Sequence, residues 1–354
     1  MKAQQLKNSI LQMAVQGKLV PQDPNDEPAS VLIERIRVEK QRLIKEGKIK
    51  KDKNESVIYR APKDGSEATD NLPYRFFERA ADGTERDITD ELPFDIPESW
   101  EWARLNSVVN EVATGPFGSM LHKTDYVRNG IPLVNPQNII GGEIQPNDST
   151  TVSSETAKRL NSYSLNKNDV VIARRGEMGR CAVVEEMQSG WLCGTGSFIL
   201  RANLYMFSSF LVTVLRSWHI VQYLRGSSIG TTMSNLNHGI LNHLLIPVPP
   251  LSEQHNIVER FEQLLPSITA YDTAEQKLTT LNATFPDQLK KSILQAAVQG
   301  RLVEQDPSDE PASVLLERIR IERERLILTG KIKRNENENV IFRRDNSHYE
   351  MRDG

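Results

Sequence analysis

The side chains of this sequence that could do chemistry are of types that grip and read a ligand. Arg174, Arg175 and Arg180 lie in ARRGEMGR (173–180). A guanidinium there can hold a phosphate or the O6/N7 edge of a guanine. Gln137 and Asn138 lie in NPQN (135–138), and a side-chain amide matches the N6/N7 edge of adenine. Thr231, Thr232 and Asn235 belong to GTTMSNLN (230–237), whose short hydroxyl and amide groups suit backbone phosphates. GPFGSMLHK (115–123) offers Ser119, His122 and Lys123. Each stretch has a plainer reading that stays open: a strand-end loop, an Asn–Pro turn, a helix capped at Asn235 or Asn237, a surface turn.

Turnover chemistry finds little support. No glycine-rich cofactor fingerprint and no GxxxxGK[ST] phosphate loop occurs. VNPQN is a poor imitation of an NPPY-like catalytic tetrapeptide. His238 and His243 are five apart, without cysteine or acidic partners in metal spacing. Cys181 and Cys193 suit a core better than a ligand set, and two cysteines make no disulfide framework. The expectation is no catalytic residue, no metal and no directly bound cofactor.

The elements that must position these groups begin with a repeat. Leu6–Arg60 and Leu289–Arg343 align without gaps at an offset of 283, with 39 of 55 positions identical. Each copy reads as helix, turn, helix. In the first, Leu6, Ile10, Met13 and Ala14 keep helical spacing up to Gly17, PQDPND is turn chemistry, and Pro28 opens a second helix that runs to Gly47. Gly300, Pro311 and Gly330 repeat the punctuation. A duplicated structural hairpin and a docking surface made twice for a two-fold arrangement both account for it.

Before the second copy, Ile257, Phe261, Leu264, Ile268, Tyr271, Leu278 and Phe285 step by fours and threes, with polar breaks at Glu275 and Asn282. That is a coiled-coil seam. Pro266 and Pro286 are expected to kink or interrupt it. About 30 helical residues would span about 45 Å, roughly 13 base pairs of B-DNA. A ruler, a dimerisation helix and a core helix are all consistent with it.

Between these helical parts the texture is α+β. DVVIARRG, RCAVVEE and SFILRAN read as strands, and 206–226 as one helix ending at Gly226. The expected fold is α+β, with a twisted, mostly antiparallel sheet flanked by helical segments. The expected parts are a first helical copy at 1–60, an acidic linker at 61–93, the central domain at 94–250, the long helix at 251–288, the second copy at 289–343 and a tail at 344–354. Net charge is −3 and the stretch 97–250 holds 12 basic and 11 acidic residues, so bulk charge announces no nucleic-acid binder. A polar N-terminus, no apolar run of membrane-spanning length and little cysteine lead to an expectation of a cytoplasmic protein without a membrane anchor.

IPESWEWARL, GIPLVNPQNI, NDVVIARRGEMGR, SSIGTTMSNLNHGILNHLLIPVPPLSEQHNIVERFEQLL and the repeated LQMAVQGKLVPQDPNDEPASVLIERIR resemble the specificity subunits of type I restriction–modification enzymes. The resemblance covers nearly the whole chain. It implies a non-catalytic subunit whose target-recognition domain (94–250) reads one half of a split double-stranded DNA target. It also places the loop of Ser119, His122 and Lys123 near DNA. It implies conserved helical spacers that dock methyltransferase subunits using S-adenosylmethionine, and motor–nuclease subunits using ATP with magnesium that can join. A full member has two recognition domains. This chain shows one, so a half-size or truncated form is expected, working as a homodimer. Pairing with another half-subunit and an inactive product compete with that. From a different class, a scaffold or competitor that sequesters methyltransferase without binding DNA is the alternative.

Overall fold

The computed structural model describes residues 2–62, 74–116, 119–227, 235–334, 339–345 and 347–351. It divides into two compact units, 1–278 and 279–354.

The first unit opens with α1 (Ala3–Val15) and α2 (Ala29–Lys45). Leu11, Ala14 and Val15 form the buried stripe of α1, and Ala29, Leu32, Ile36 and Lys40 that of α2, the spacing of one helix face. Lys40 is buried because its Nζ donates to Glu55 Oε1 (2.8 Å) and to the Asn106 carbonyl (2.5 Å). Pro28 sits one residue before α2, as its N-cap. The segment expected as an acidic linker contributes, among its described residues, the strands Tyr74–Ala80 and Glu85–Asp87, which extend Ser56–Pro62 into a three-stranded antiparallel sheet. Its acid Glu78 is no solvated charge. Arg104 grips it twice, at 2.9 and 2.8 Å, and Arg86 bonds it at 2.6 Å.

The central domain has several sheets, where a single one was expected. Cys181–Val183, Val170–Ala173, Ser197–Ala202 and Val109–Thr114 form a four-stranded antiparallel sheet in that order. Leu192–Cys193, Ile131–Val134, Thr151–Val152 and Tyr126–Val127 form a second, in which Leu192–Cys193 runs parallel to its neighbour. Short helices α3 (Leu105–Val108) and α4 (Ser154–Arg159) pack around them, the latter capped by the Ser153 hydroxyl. The helix expected at 206–226 is two, α5 (Ser208–Leu215) and α6 (Trp218–Ser227). The chain turns at buried Ser217, whose carbonyl accepts the Val221 N–H. Then comes α7 (His238–Asn242), with Asn237 as its side-chain cap.

The domain is closed at its ends. Leu245–Val248 pairs antiparallel with Glu101–Arg104, and the Trp100 indole donates to Glu253 Oε2 (2.8 Å). Glu253 and Gln254 open α8 (Leu251–Val298). Gln22 of the first copy donates to Glu253 as well, and the Ala29 N–H donates to the Ser99 carbonyl (2.9 Å). One hydrophobic cluster runs from Ala14 and Ile36 through Trp100 and Trp102 to Ile257, so the first copy belongs to the domain's core.

The helix α8 is unbroken through Pro266 and Pro286. Both prolines are exposed, so water can satisfy the carbonyls that lose an amide partner. Along the expected seam Ile257 and Ile268 are buried, Phe261 and Leu264 half-buried, and Tyr271, Leu278 and Phe285 exposed. Within the second unit lie α9 (Ala312–Leu328) and a hairpin of Val340–Arg344 with Ser347–Met351. No helix among the described residues is long and apolar enough to cross a membrane.

Candidate nucleic-acid interface

Strand register decides which loops meet. Thr114 lies opposite Phe198, Ala173 opposite Ser197, and Ile172 opposite Cys181. The loops after Thr114, after Ala173, before Cys181 and before Ser197 therefore leave the sheet at one end. Two glycines let them close on each other. A Cβ on Gly115 would lie 1.9 Å from the Gly194 carbonyl oxygen, and one on Gly194 would lie 2.1 Å from Asn135 Oδ1. Backbone bonds join the same loops: the Arg174 N–H donates to Gly196 (2.8 Å), and the Leu236 N–H to Arg174 (3.0 Å).

On this platform the sequence candidates separate. Arg175 is exposed, and its backbone bridges to Asn235. Arg174 turns inward. Its Nε donates to the Leu236 carbonyl (3.2 Å) and its guanidinium lies 5.8 Å from the Phe198 ring centre. Arg180 is half-buried between the Pro136 carbonyl (3.1 Å) and Glu177 (2.7 Å), tying its loop to NPQN. Gln137 is exposed. Asn138 is not a reader. It is buried, its Nδ2 donates to the Gln145 carbonyl (3.0 Å), and its Oδ1 accepts the Asn135 N–H (3.0 Å), so its amide is spent holding the turn. Asn235 Oδ1 is buried without a bond among the described residues. Thr231 and Thr232 lie outside the described residues.

Ser119, His122 and Lys123 are all exposed. Their loop is pinned from beneath by buried Leu121 and by Arg159, which donates to the Met120 carbonyl (2.8 Å) and to Asp125 (3.1 Å). The His122 N–H, donating to Asp125, and the charge of Arg159 hold the Asp125 carboxyl below its ordinary range. That acid therefore stays ionised and is paired with Arg159 beneath the loop. The exposed set is Ser119, His122, Lys123, Gln137 and Arg175. It can donate to phosphates and base edges.

Cys181 and Cys193 are buried free thiols, pushed by burial up to about 12. They are protonated core residues at neutral pH. Among the described residues no group of three His, Cys, Asp or Glu side chains could hold a metal ion. The sequence reading missed Lys7 and Arg216, which meet in a cleft beside Arg180. They are too far apart in the chain for spacing to reveal.

A single α+β module, closed on itself at Trp100–Glu253, with polar loops gathered at one sheet end, defines a recognition module. The profile of the family described as "Type I restriction modification DNA specificity domain" matches residues 97–280, just over half of the chain. The chain belongs to this family. It is similar to the type I restriction enzyme EcoAI specificity subunit of Escherichia coli, 27% identical over 93% of this chain and 57% of that protein. The EcoEI specificity subunit of Escherichia coli is 28% identical over 93% of this chain and 56% of that one. The chain thus spans little more than half the length of these relatives. The crystal structure of the HsdS subunit from Thermoanaerobacter tengcongensis overlays with a TM-score of 0.41 at 22% identity, covering 59% of this chain and 47% of that one, a likeness too loose to argue from.

Proposed function

We propose that this chain is the DNA sequence-specificity component of a type I restriction–modification system. The carrying observation is that exposed Ser119, His122, Lys123, Gln137 and Arg175 lie on loops of a domain that matches this family. The recognition domain reads one half of a split target. The helical copies dock methyltransferase subunits, which bring S-adenosylmethionine, and motor–nuclease subunits with ATP and magnesium can join. The chain itself holds no cofactor, and the assembly works in the cytoplasm. Homodimerisation supplies the second half-site. The apolar face that the second copy leaves exposed, and the exposed part of the α8 seam, support this.

Co-expression with the neighbouring methyltransferase in an unmethylated host, followed by long-read mapping of modified bases, tests the proposal. A palindromic split motif is the expected result. An asymmetric split motif overturns the homodimer and brings in a second half-subunit. A complex that forms but modifies nothing turns the reading to the scaffold or competitor, which the near-balanced charge of 97–250 favours.

A further inference from the structure

A cleft of about 610 Å³ opens between α1 and the loop that carries Arg180. Gln4, Lys7 and Asn8 of α1 line it together with Glu177, Arg180 and Arg216. Its charge is uneven. Arg180 already occupies Glu177 at 2.7 Å. Among the described residues no carboxylate pairs with Lys7 or with Arg216. Burial, and then the charge of Arg216, push the Lys7 ammonium below its ordinary pKa. Two cations face each other where an anion between them would be stabilised by both.

The Arg216 guanidinium is placed in advance. It donates to the Gly141 carbonyl (3.3 Å) and lies against Gly142, where a Cβ would come within 2.1 Å of its Nη1. Gly142 has φ +102°, a backbone conformation that favours glycine. A guanidinium fork with an ammonium nearby suits phosphate oxygens. Trp218, 55% exposed on the wall, gives an apolar face for a sugar ring. Arg180 joins this cleft to the NPQN loop through the Pro136 carbonyl, so the cleft is continuous with the candidate interface.

We propose that this cleft binds phosphates of the DNA backbone, with Lys7 of the first helical copy and Arg216 as the gripping pair. The spacer helix would then hold DNA as well as protein. The proposal rests on the DNA-specificity reading above.

Fluorescence anisotropy with a duplex of arbitrary sequence, over a series of salt concentrations, tests it without knowledge of the target, because non-specific affinity is electrostatic. The wild-type chain is compared with Lys7→Gln, Arg216→Gln and Lys7→Arg. The slope of log K against log salt should fall by about 0.9 for each lost phosphate contact in the two glutamine variants, and Lys7→Arg should keep the wild-type slope. Unchanged slopes in folded glutamine variants, with wild type still binding, overturn the cleft and leave the DNA reading standing. Loss of methyltransferase binding without loss of duplex binding also overturns it, in favour of an acidic protein segment. Wild type without any salt-dependent duplex affinity overturns both readings. If Arg216→Gln fails to fold, Lys7→Gln decides alone, since the Lys7 side chain bonds no neighbour among the described residues.

Discussion

Leu32 and Leu315 occupy the same place in two copies of one sequence, yet the first is 2% exposed and the second 52%. Ile36 and Ile319 differ in the same way, 1% against 53%. Locally the copies match. The second helix of each has 17 residues, with Pro28 and Pro311 as N-caps of nearly the same backbone angles. Gly17 and Gly300 have φ +68° and +67°, and both are bonded from a glutamine five residues on. Tyr59 stacks on Phe77 at 5.9 Å as Phe342 stacks on Tyr349 at 5.8 Å, so the likeness extends past the 55 aligned positions into the following strand. Helix propensity, caps and turn chemistry therefore fix the hairpin without a partner, and the partner decides only what becomes of its apolar face. The first copy's face is filled by the recognition domain. The second leaves the same groups exposed.

The largest expected effect lies where the first copy's sheet is locked into the domain. Glu78→Gln leaves buried Arg104 with Glu91, at 3.3 Å, as its one carboxylate among the described residues, beside the His243 carbonyl at 2.7 Å, and should cost about 3–5 kcal/mol. It also changes the acid profile. Burial alone would raise the Glu78 pKa, but bonds from Arg104, Ser56 and Arg86 outweigh it and bring it to about 2. The folded value lies below the unfolded one, so this stability is present above the unfolded carboxyl pKa and is lost as pH falls toward 2. Denaturant melts across that window should show the loss in wild type and a flatter profile in the variant. The matching strand of the second copy, Ser347–Met351, is exposed throughout its length.

Next comes the apolar face itself. Ile36→Ala should destabilise by about 2–5 kcal/mol through the cavity it leaves, and Ile319→Ala by no more than about 0.5. All four tryptophans lie between residues 100 and 218, so indole fluorescence follows the first unit and circular dichroism is needed for the second. A loss at Ile319 that grows with protein concentration would break the contrast and mark the second copy's face as a dimer contact.

How much of this the sequence disclosed depends on the range of the interaction. The repeat with its glycine and proline punctuation, the strands Val170–Ala173 and Ser197–Ala202, and the presence of a long helix follow from spacing within a few residues and were legible, whereas its passage through Pro266 and Pro286 was not. The segment 61–93 misled because its acidity suggested solvent, whereas Glu78 is acidic to meet Arg104, 26 residues on. Asn138 misled because a buried amide that holds a turn and an exposed one that reads a base are the same residue type. Ser217 breaks a helix that hydrophobicity alone carries onward. The loop cluster was legible as a set of polar motifs but not as one place, since its assembly depends on strand register and on the Gly115–Gly194 approach.

The finest contrast is at the glycines. Gly17→Ala and Gly300→Ala both force a side chain into left-handed backbone, which costs about 1–2 kcal/mol. At Gly300 that should be nearly the whole effect, because the added Cβ meets only Gln305 Nε2, at 3.5 Å. At Gly17 the Cβ would lie 2.4 Å from Pro97 Cγ, 2.8 Å from its Cδ and 3.2 Å from Trp100 Cζ2, and overpacking there adds about 1–3 kcal/mol. The difference between the two variants isolates the contact with the domain, because the backbone strain is common to both and cancels. Equal losses in denaturant melts that stay at the strain value alone, about 1–2 kcal/mol, would mean that the first copy sits on Pro97 and Trp100 more loosely than these distances describe. A second-copy loss raised to the sum of strain and overpacking would mean that Gly300 meets a packed surface of its own.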